Sequence, residues 1–237
     1  MKVTLVSYTP NAAELLIFTK STRLNMSPSL LQDIKEWPEA KKLEELRYMA
    51  NTIPSSWEFV DYIFAIEGVS RAFTHQFVRT RHGSYAQQSL RVVDASSFDF
   101  VMPERFQEAQ RDIVDQYLKS TKRAYREMID NGAAPEDARS ILPTNIATNI
   151  VAKFNLRTLS ELAASRTGGR TQGEYRDVMN AMTDAVLAVH PWAEAFLFPK
   201  ERDAFADIEA FAEEAFAGDL IKKGALLKIV DRMRKRR

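Results

Sequence analysis

The chain has 237 residues, 45% hydrophobic and 27% charged, with a net charge of +1, an ordinary globular balance that can bury a core without covalent staples. That small net charge excludes a protein that binds polyanions over its whole surface, so any anion must be met by a local cluster. Cysteine is absent, which excludes disulfides, thiolate metal sites and a cysteine nucleophile, and a three-histidine zinc site would consume all of His75, His82 and His190, so no metal centre is expected.

Residues 3–7 are apolar and β-branched and predict a first strand. Asn11 is placed to cap a helix over 12–22. Pro28 and Pro38 punctuate the next stretch, and 39–51 puts Leu43, Leu46 and Ala50 on one helical face. Pro54-Ser55-Ser56 breaks that helix. Residues 57–67, rich in aromatic and β-branched side chains, predict a strand. Ser70 predicts a cap for a helix reaching about Thr80, followed by a loop over 83–88 and a short strand over 90–93. Pro103 predicts the start of a long helix that stops at Asn131-Gly132. A short helix opens at Pro135, a strand follows over 144–154, and two helices cover 156–166 and 173–189. The order is mixed and mostly helical, which predicts an α+β domain, a central sheet flanked by helices.

The tail differs in charge. An acidic helix is predicted over 200–217 and a basic one over 222–237, a run read as solvated rather than as a nucleic-acid site. No apolar run approaches the length needed to span a bilayer. The first residues lack the apolar core and cleavage site of a signal peptide, which predicts a cytoplasmic protein.

Chemistry concentrates in residues 68–93. This stretch holds Arg71, Arg79, Arg81 and Arg91 and no Asp or Glu. Guanidinium forks match phosphate oxygens, and the Gly83, Ser84 and Ser89 backbone can approach an anion. Interleaving with Phe73, Phe77, Val78 and Tyr85 predicts partial burial of the arginines, and buried arginines without acids need an external anion. A phosphate-bearing ligand is therefore expected here. A second set, Arg139, Asn155, Arg157, Arg166, Arg170 and Gln172, falls near predicted element ends. Pairing with Glu136, Asp137, Glu161 or Glu174 is its structural reading.

Those residues carry a resemblance. Arg79-Thr80-Arg81, seven residues and then Ser89 resembles the flavin-dependent thymidylate synthase signature, Arg-His-Arg, seven residues, Ser. Ala138-Arg139 before Leu142-Pro143, Asn155-Leu156-Arg157, and Arg166 followed by Gln172 and Glu174 extend it. The resemblance covers residues 1 to about 198 in order, giving one enzyme domain over 1–198 and a charged helical extension over 199–237. It implies that Gln76, Arg79, Gln87, Gln88, Ser89, Leu90, Arg91 and Arg139 hold dUMP. Arg166 would contact the uracil ring as the catalytic residue. Ser55, Arg79, Thr80, Arg81, Gln87, Asn155, Arg157 and Glu161 would sit at FAD.

It further implies a homotetramer whose sites are shared between subunits. NADPH would reduce the FAD, and methylenetetrahydrofolate would supply the carbon that converts dUMP to dTMP. The chain departs from the pattern at Thr80 (His in the signature), Ile53 and Phe59 (His), Glu161 (Asn) and Val92 (Tyr). A carboxylate at Glu161 would add negative charge beside the flavin. These departures leave two alternatives open: a flavoenzyme giving another pyrimidine product from dUMP or dCMP, such as a hydroxymethyl-pyrimidine, and a non-catalytic nucleotide-binding homologue. Since there is no thiolate to attack C6, the pyrimidine must be activated electrostatically.

Overall fold

The computed structural model describes residues 1–21, 27–93, 95–169, 171–198 and 204–234. In chain order the elements are β1 (Lys2–Tyr8), α1 (Ala12–Ser21), α2 (Pro28–Lys35), α3 (Glu39–Ala50), β2 (Asp61–Ser70), α4 (Arg71–Phe77) and β3 (Ser84–Gln87). They continue with α5 (Glu108–Asp130), α6 (Pro135–Ala138), β4 (Ala147–Asn155), α7 (Leu156–Arg166), α8 (Gly173–Val189), α9 (Glu194–Leu197), α10 (Ala204–Ala215) and α11 (Leu220–Arg234). The chain divides into two compact units, Met1–Pro199 and Lys200–Arg237.

The first unit is an α+β fold around one antiparallel sheet in the order β1-β2-β4-β3. Period-two alternation in β2 sends Tyr62, Phe64 and Ile66 to a buried face. Ile150, Ala152 and Phe154 of β4 join them, and Leu16, Met49, Leu159, Met179 and Val186 of the helices cover that face. The register of β2 on β4 shifts between Ile66 and Val69. Gly68 sits at that irregularity with φ +67°, and its N–H donates to Asn149 Oδ1 at 3.0 Å. Glycine takes this backbone region without a Cβ penalty.

Four sequence expectations need correction. Residues 57–59 are not strand but belong to a 3-10 turn over Pro54–Phe59, and the strand starts at Asp61. Pro54 opens that turn, and Trp57 Nε1 donates to the Met49 carbonyl at 3.2 Å, which draws the segment down onto α3. The long helix begins at Glu108, not Pro103. Pro103 instead opens a turn in which Phe106 N–H donates to its carbonyl at 3.1 Å. The helix does stop where Asn131-Gly132 predicts: Ala133 N–H reaches Met128 O and Gly132 N–H reaches Ile129 O, both at 2.9 Å, with Gly132 at φ +87°. The predicted loop over 83–88 contains strand β3, because the open edge of β4 offers a ladder that polar Ser84–Gln87 can join. The predicted strand over 90–93 is a turn. There Leu90 is buried beside Tyr125, Ala138 and Ile146 in a second, smaller core.

The second unit pairs α10 with α11. Ala212 and Val230 are buried in it, Lys223 forms an ion pair with Glu213, and Asp219 Oδ1 accepts from Lys222 N–H at 3.1 Å. The acidic stretch carries α10 and the basic stretch α11, within the bounds given above; residues 199–203 and 235–237 lie outside the described residues. Among the described residues no helix is long and apolar enough to cross a membrane.

Candidate active site

The turn after α4 sets the site. Ser70 caps α4, its Oγ accepting from Phe73 N–H at 3.0 Å. Glu174 at the start of α8 then takes both the N–H and the Oγ–H of Ser70, each at 2.6 Å. Gln76 Nε2 donates to Gln172 Oε1 at 2.6 Å. These contacts lock α4 to α8. The helix ends at Phe77, so Arg79, Thr80 and Arg81 lie in the turn beyond it. A Cβ on Gly83 would come within 2.5 Å of Phe154 Cε1 and 2.6 Å of the Tyr85 hydroxyl. The turn can therefore press against those rings only because residue 83 has no side chain. Tyr85 fixes it further, donating to the Thr80 carbonyl at 2.7 Å.

Where that turn meets α7, Thr80, His82, Thr158, Glu161, Leu162, Ser165 and Arg166 line a cleft of about 200 Å³. Arg166 is the last residue of α7, as the Thr167-Gly168-Gly169 stop predicts. Its Nε is buried without a hydrogen-bond partner, and its guanidinium carbon lies 5.1 Å from the ring centroid of Tyr175 on α8. A guanidinium over an aromatic face is held by the ring quadrupole. Tyr175 is in turn clamped edge-on by Phe73 and Phe77, with centroids 5.1 and 5.9 Å away. The Tyr175 hydroxyl is also buried and makes no well-formed hydrogen bond among the described residues, with Thr80 and Arg166 beside it. Burial pushes its pKa up, with the Arg166 charge pulling the other way.

At the other end of α7, Asn155 caps the helix, its Oδ1 accepting from Thr158 N–H at 2.8 Å. Arg157 pairs with Glu58 at 2.8 Å and with Glu161 at 3.3 Å. The Glu58 hydrogen bond pushes the Arg157 pKa up. Glu161 was among the partners the sequence suggested. Glu58 was not, since it lies 99 residues away and no local spacing could flag it. Exposed Ser55 sits in the same 3-10 turn as Glu58.

A second cluster forms around the loop after β3. Gln87 Nε2 reaches Thr74 Oγ1 at 2.9 Å and Thr148 Oγ1 at 3.4 Å. Gln88 N–H donates to the Asn149 carbonyl at 2.9 Å, and the Gln88 carbonyl accepts from Arg71 Nη2 at 2.7 Å. Ser89 Oγ accepts from Arg91 N–H at 3.1 Å. Arg91 pairs with Glu136 at 3.0 Å, while Arg139 Nε donates to the Glu136 carbonyl at 3.1 Å. Leu90 is buried in the smaller core. The expected burial of the arginines is corrected: Arg71 alone is half-buried, while Arg79, Arg81 and Arg91 are exposed. All three follow the end of α4, on turns, where no second layer covers them. Arg170 lies outside the described residues.

The family described as thymidylate synthase complementing protein matches residues 4–192. A flavin-dependent thymidylate synthase of Nitratidesulfovibrio vulgaris is 34% identical over 209 residues, covering 80% of this chain and 84% of that protein. The chain belongs to the flavin-dependent thymidylate synthase family. A flavin-dependent thymidylate synthase from Pyrococcus furiosus is 33% identical over 209 residues, covering 82% of this chain and 84% of that one. In fold, the chain is similar to a flavin-dependent thymidylate synthase of Helicobacter pylori solved in complex with FAD and dUMP. The TM-score is 0.63 at 18% identity, covering 84% of this chain and 98% of that one. The matched span includes both clusters and ends before the second unit.

Proposed function

We infer that this chain is a flavin-dependent thymidylate synthase, converting dUMP to dTMP with methylenetetrahydrofolate as carbon donor and NADPH as the source of reducing equivalents. The observation that carries the reading is Arg166. It is a fixed guanidinium with a buried Nε lacking any partner, held over Tyr175 at the edge of a cleft. In our assignment it meets the uracil edge and stabilises negative charge on the pyrimidine, making C5 nucleophilic. A preorganised donor of this kind is worth about 10²–10³ in rate. With no cysteine in the chain, electrostatic activation takes the place of covalent attack. Among the described residues Ser89 has no base hydrogen-bonded to it, and we assign it as a hydrogen-bonding group for the nucleotide.

Gln76, Arg79, Gln87, Gln88, Ser89, Arg91 and Arg139 are assigned to dUMP. Leu90 contributes through its backbone, because its side chain is buried in the smaller core. The Arg91–Glu136 pair is exposed on both sides, a type worth about 0–1 kcal/mol, so a phosphate can displace the carboxylate. Ser55, Arg79, Thr80, Arg81, Gln87, Asn155, Arg157 and Glu161 are assigned to FAD. The donor set fits that group: the Thr80 hydroxyl suits flavin carbonyls and the exposed Arg79 and Arg81 suit a pyrophosphate. When bound and reduced, the flavin supplies the hydride.

A cleft of about 200 Å³ is smaller than the roughly 300–1,000 Å³ of typical ligand pockets. The exposed arginines and the exposed Ile113 and Tyr117 on α5 support a homotetramer in which neighbouring copies complete each site. We place the enzyme in the cytoplasm and assign the second unit no part in turnover. The test is tritium release from [5-³H]dUMP with FAD, NADPH and methylenetetrahydrofolate, with the product identified by mass. Release coupled to dTMP is expected. Absence of release, or a product of another mass, would sink the reading.

A further inference from the structure

Arg71 has no role in the site as assigned, yet it leaves a buried side-chain nitrogen unsatisfied beside it. It is the first residue of α4, and its backbone N–H is already spent on the Ile146 carbonyl at 3.1 Å. Its side chain is what matters. Nη2 is anchored on the Gln88 carbonyl at 2.7 Å, whereas Nε is buried with no acceptor. Burial pushes the Arg71 pKa down, and the neighbouring Arg139 charge pushes it further the same way. Arg139 is no better neutralised. Its Nε reaches only the main-chain carbonyl of Glu136, whose carboxylate is held by Arg91. Among the described residues, then, Arg71 is anchored at the Gln88–Ser89 loop and feels the positive charge of Arg139, and neither guanidinium has a carboxylate partner. Half-buried like charges repel, and an unpaired buried charge is costly. An anion relieves both at once. Two unneutralised cations match a phosphate monoester dianion in charge, and guanidinium edges match its oxygens in shape.

We propose that Arg71 is a further anion-binding residue, which together with Arg139 holds the phosphate monoester of the nucleotide while its Nη2 fixes the Gln88–Ser89 backbone beside it. The nucleotide's identity rests on the proposed function, but the anion chemistry does not.

The experiment compares the full-length protein with Arg71→Gln, which keeps an amide donor for the Gln88 carbonyl but removes the charge. Affinities for dUMP and deoxyuridine are measured by calorimetry, and stabilisation by inorganic phosphate by thermal shift. We expect dUMP binding to weaken at least tenfold, deoxyuridine binding to stay within twofold, and the phosphate-induced shift to disappear. Should the glutamine variant not fold, Arg71→Lys carries the test. It keeps one cation without the fork, so a dUMP loss of threefold or more with deoxyuridine unchanged is expected. Unchanged dUMP and phosphate binding overturns the proposal, as does an equal loss for dUMP and deoxyuridine, which would mean that Arg71 acts on the loop alone. If phosphate stabilisation depends on Arg71 but wild-type protein ignores dUMP, the anion site stands and the thymidylate synthase reading falls.

Discussion

Arg157 and Arg166 stand at opposite ends of the same helix, and the fold treats them in opposite ways. Arg157 is exposed to solvent and paired with two carboxylates, Glu58 and Glu161. Arg166 has a buried Nε without a partner and an aromatic ring in place of an acid. A paired cation must first exchange its carboxylate before it can take a ligand anion. A cation held rigid over an aromatic face keeps its charge for a ligand. The same contrast separates Arg91, paired with Glu136, from Arg71 and Arg139, which have no carboxylate among the described residues. Residue type alone does not tell a paired arginine from an unpaired one; its neighbours do.

The largest effect is expected from Arg166→Lys. If Arg166 were only a helix-end cation, worth about 0.3–1 kcal/mol through the macrodipole, lysine would serve equally well. If the planar fork is needed, lysine fails. We expect an unchanged melting temperature and FAD content with at least about a tenfold loss of turnover, roughly 1.4 kcal/mol of barrier. A variant making dTMP at the wild-type rate would reduce Arg166 to a capping cation.

The next effect is smaller and tests the paired end. Glu161 lines the cleft and is bound to Arg157. Glu161→Asn removes a carboxylate from the proposed flavin site and leaves Arg157 with Glu58 alone. Exposed pairs are worth about 0–1 kcal/mol, so a gain in FAD affinity of up to about fivefold is expected by fluorescence titration. A weaker FAD complex would show that Glu161 contacts the cofactor directly.

Tyr175→Phe isolates the ring from the hydroxyl. The hydroxyl makes no well-formed hydrogen bond among the described residues, with Thr80 and Arg166 only loosely placed beside it, and an unsatisfied buried polar group is destabilising. We expect a melting temperature equal to wild type or higher, with turnover retained within about threefold because the face beneath Arg166 persists. A large drop in turnover at unchanged stability would give the hydroxyl a role in catalysis.

The smallest expected effect concerns pH. His190 accepts or donates a 3.0 Å hydrogen bond with the Tyr62 hydroxyl, and burial holds its pKa below the ordinary 6.5, against an opposing pull from Glu14. The unfolded chain therefore takes up the proton first. The associated stability is complete above about pH 6.5 and is lost as pH falls through the folded-state value. His190→Gln should flatten this part of the profile. Melting curves at pH 7.5 and 5.5 decide it, since an identical fall in both proteins would clear His190.

Much of the site was legible in the sequence because its residues are neighbours along the chain. The acid-free run from 68 to 93 carries the turn and loop that build both clusters, and the glycine stop after Arg166 places that residue at its helix end. The boundaries failed where long-range contacts override local preference. Tryptophan and phenylalanine at 57 and 59 suit a strand, but Pro54 and the Trp57–Met49 hydrogen bond make a turn of them. Ser84–Gln87 has weak strand propensity and becomes one because β4 offers an open edge.

By itself the sequence determined the class of chemistry. Lacking cysteine and an extended basic surface, but carrying an acid-free arginine segment in a family-matching order, the chain pointed to a phosphate-bearing ligand and electrostatic activation. Only the tertiary structure decided which arginines are paired and which are left without a carboxylate. Pairing depends on distance in space: Glu58 pairs with Arg157 from 99 residues away, while Arg71 and Arg139 have no carboxylate partner among the described residues. Charge is written in the composition, but its neutralisation is a property of packing.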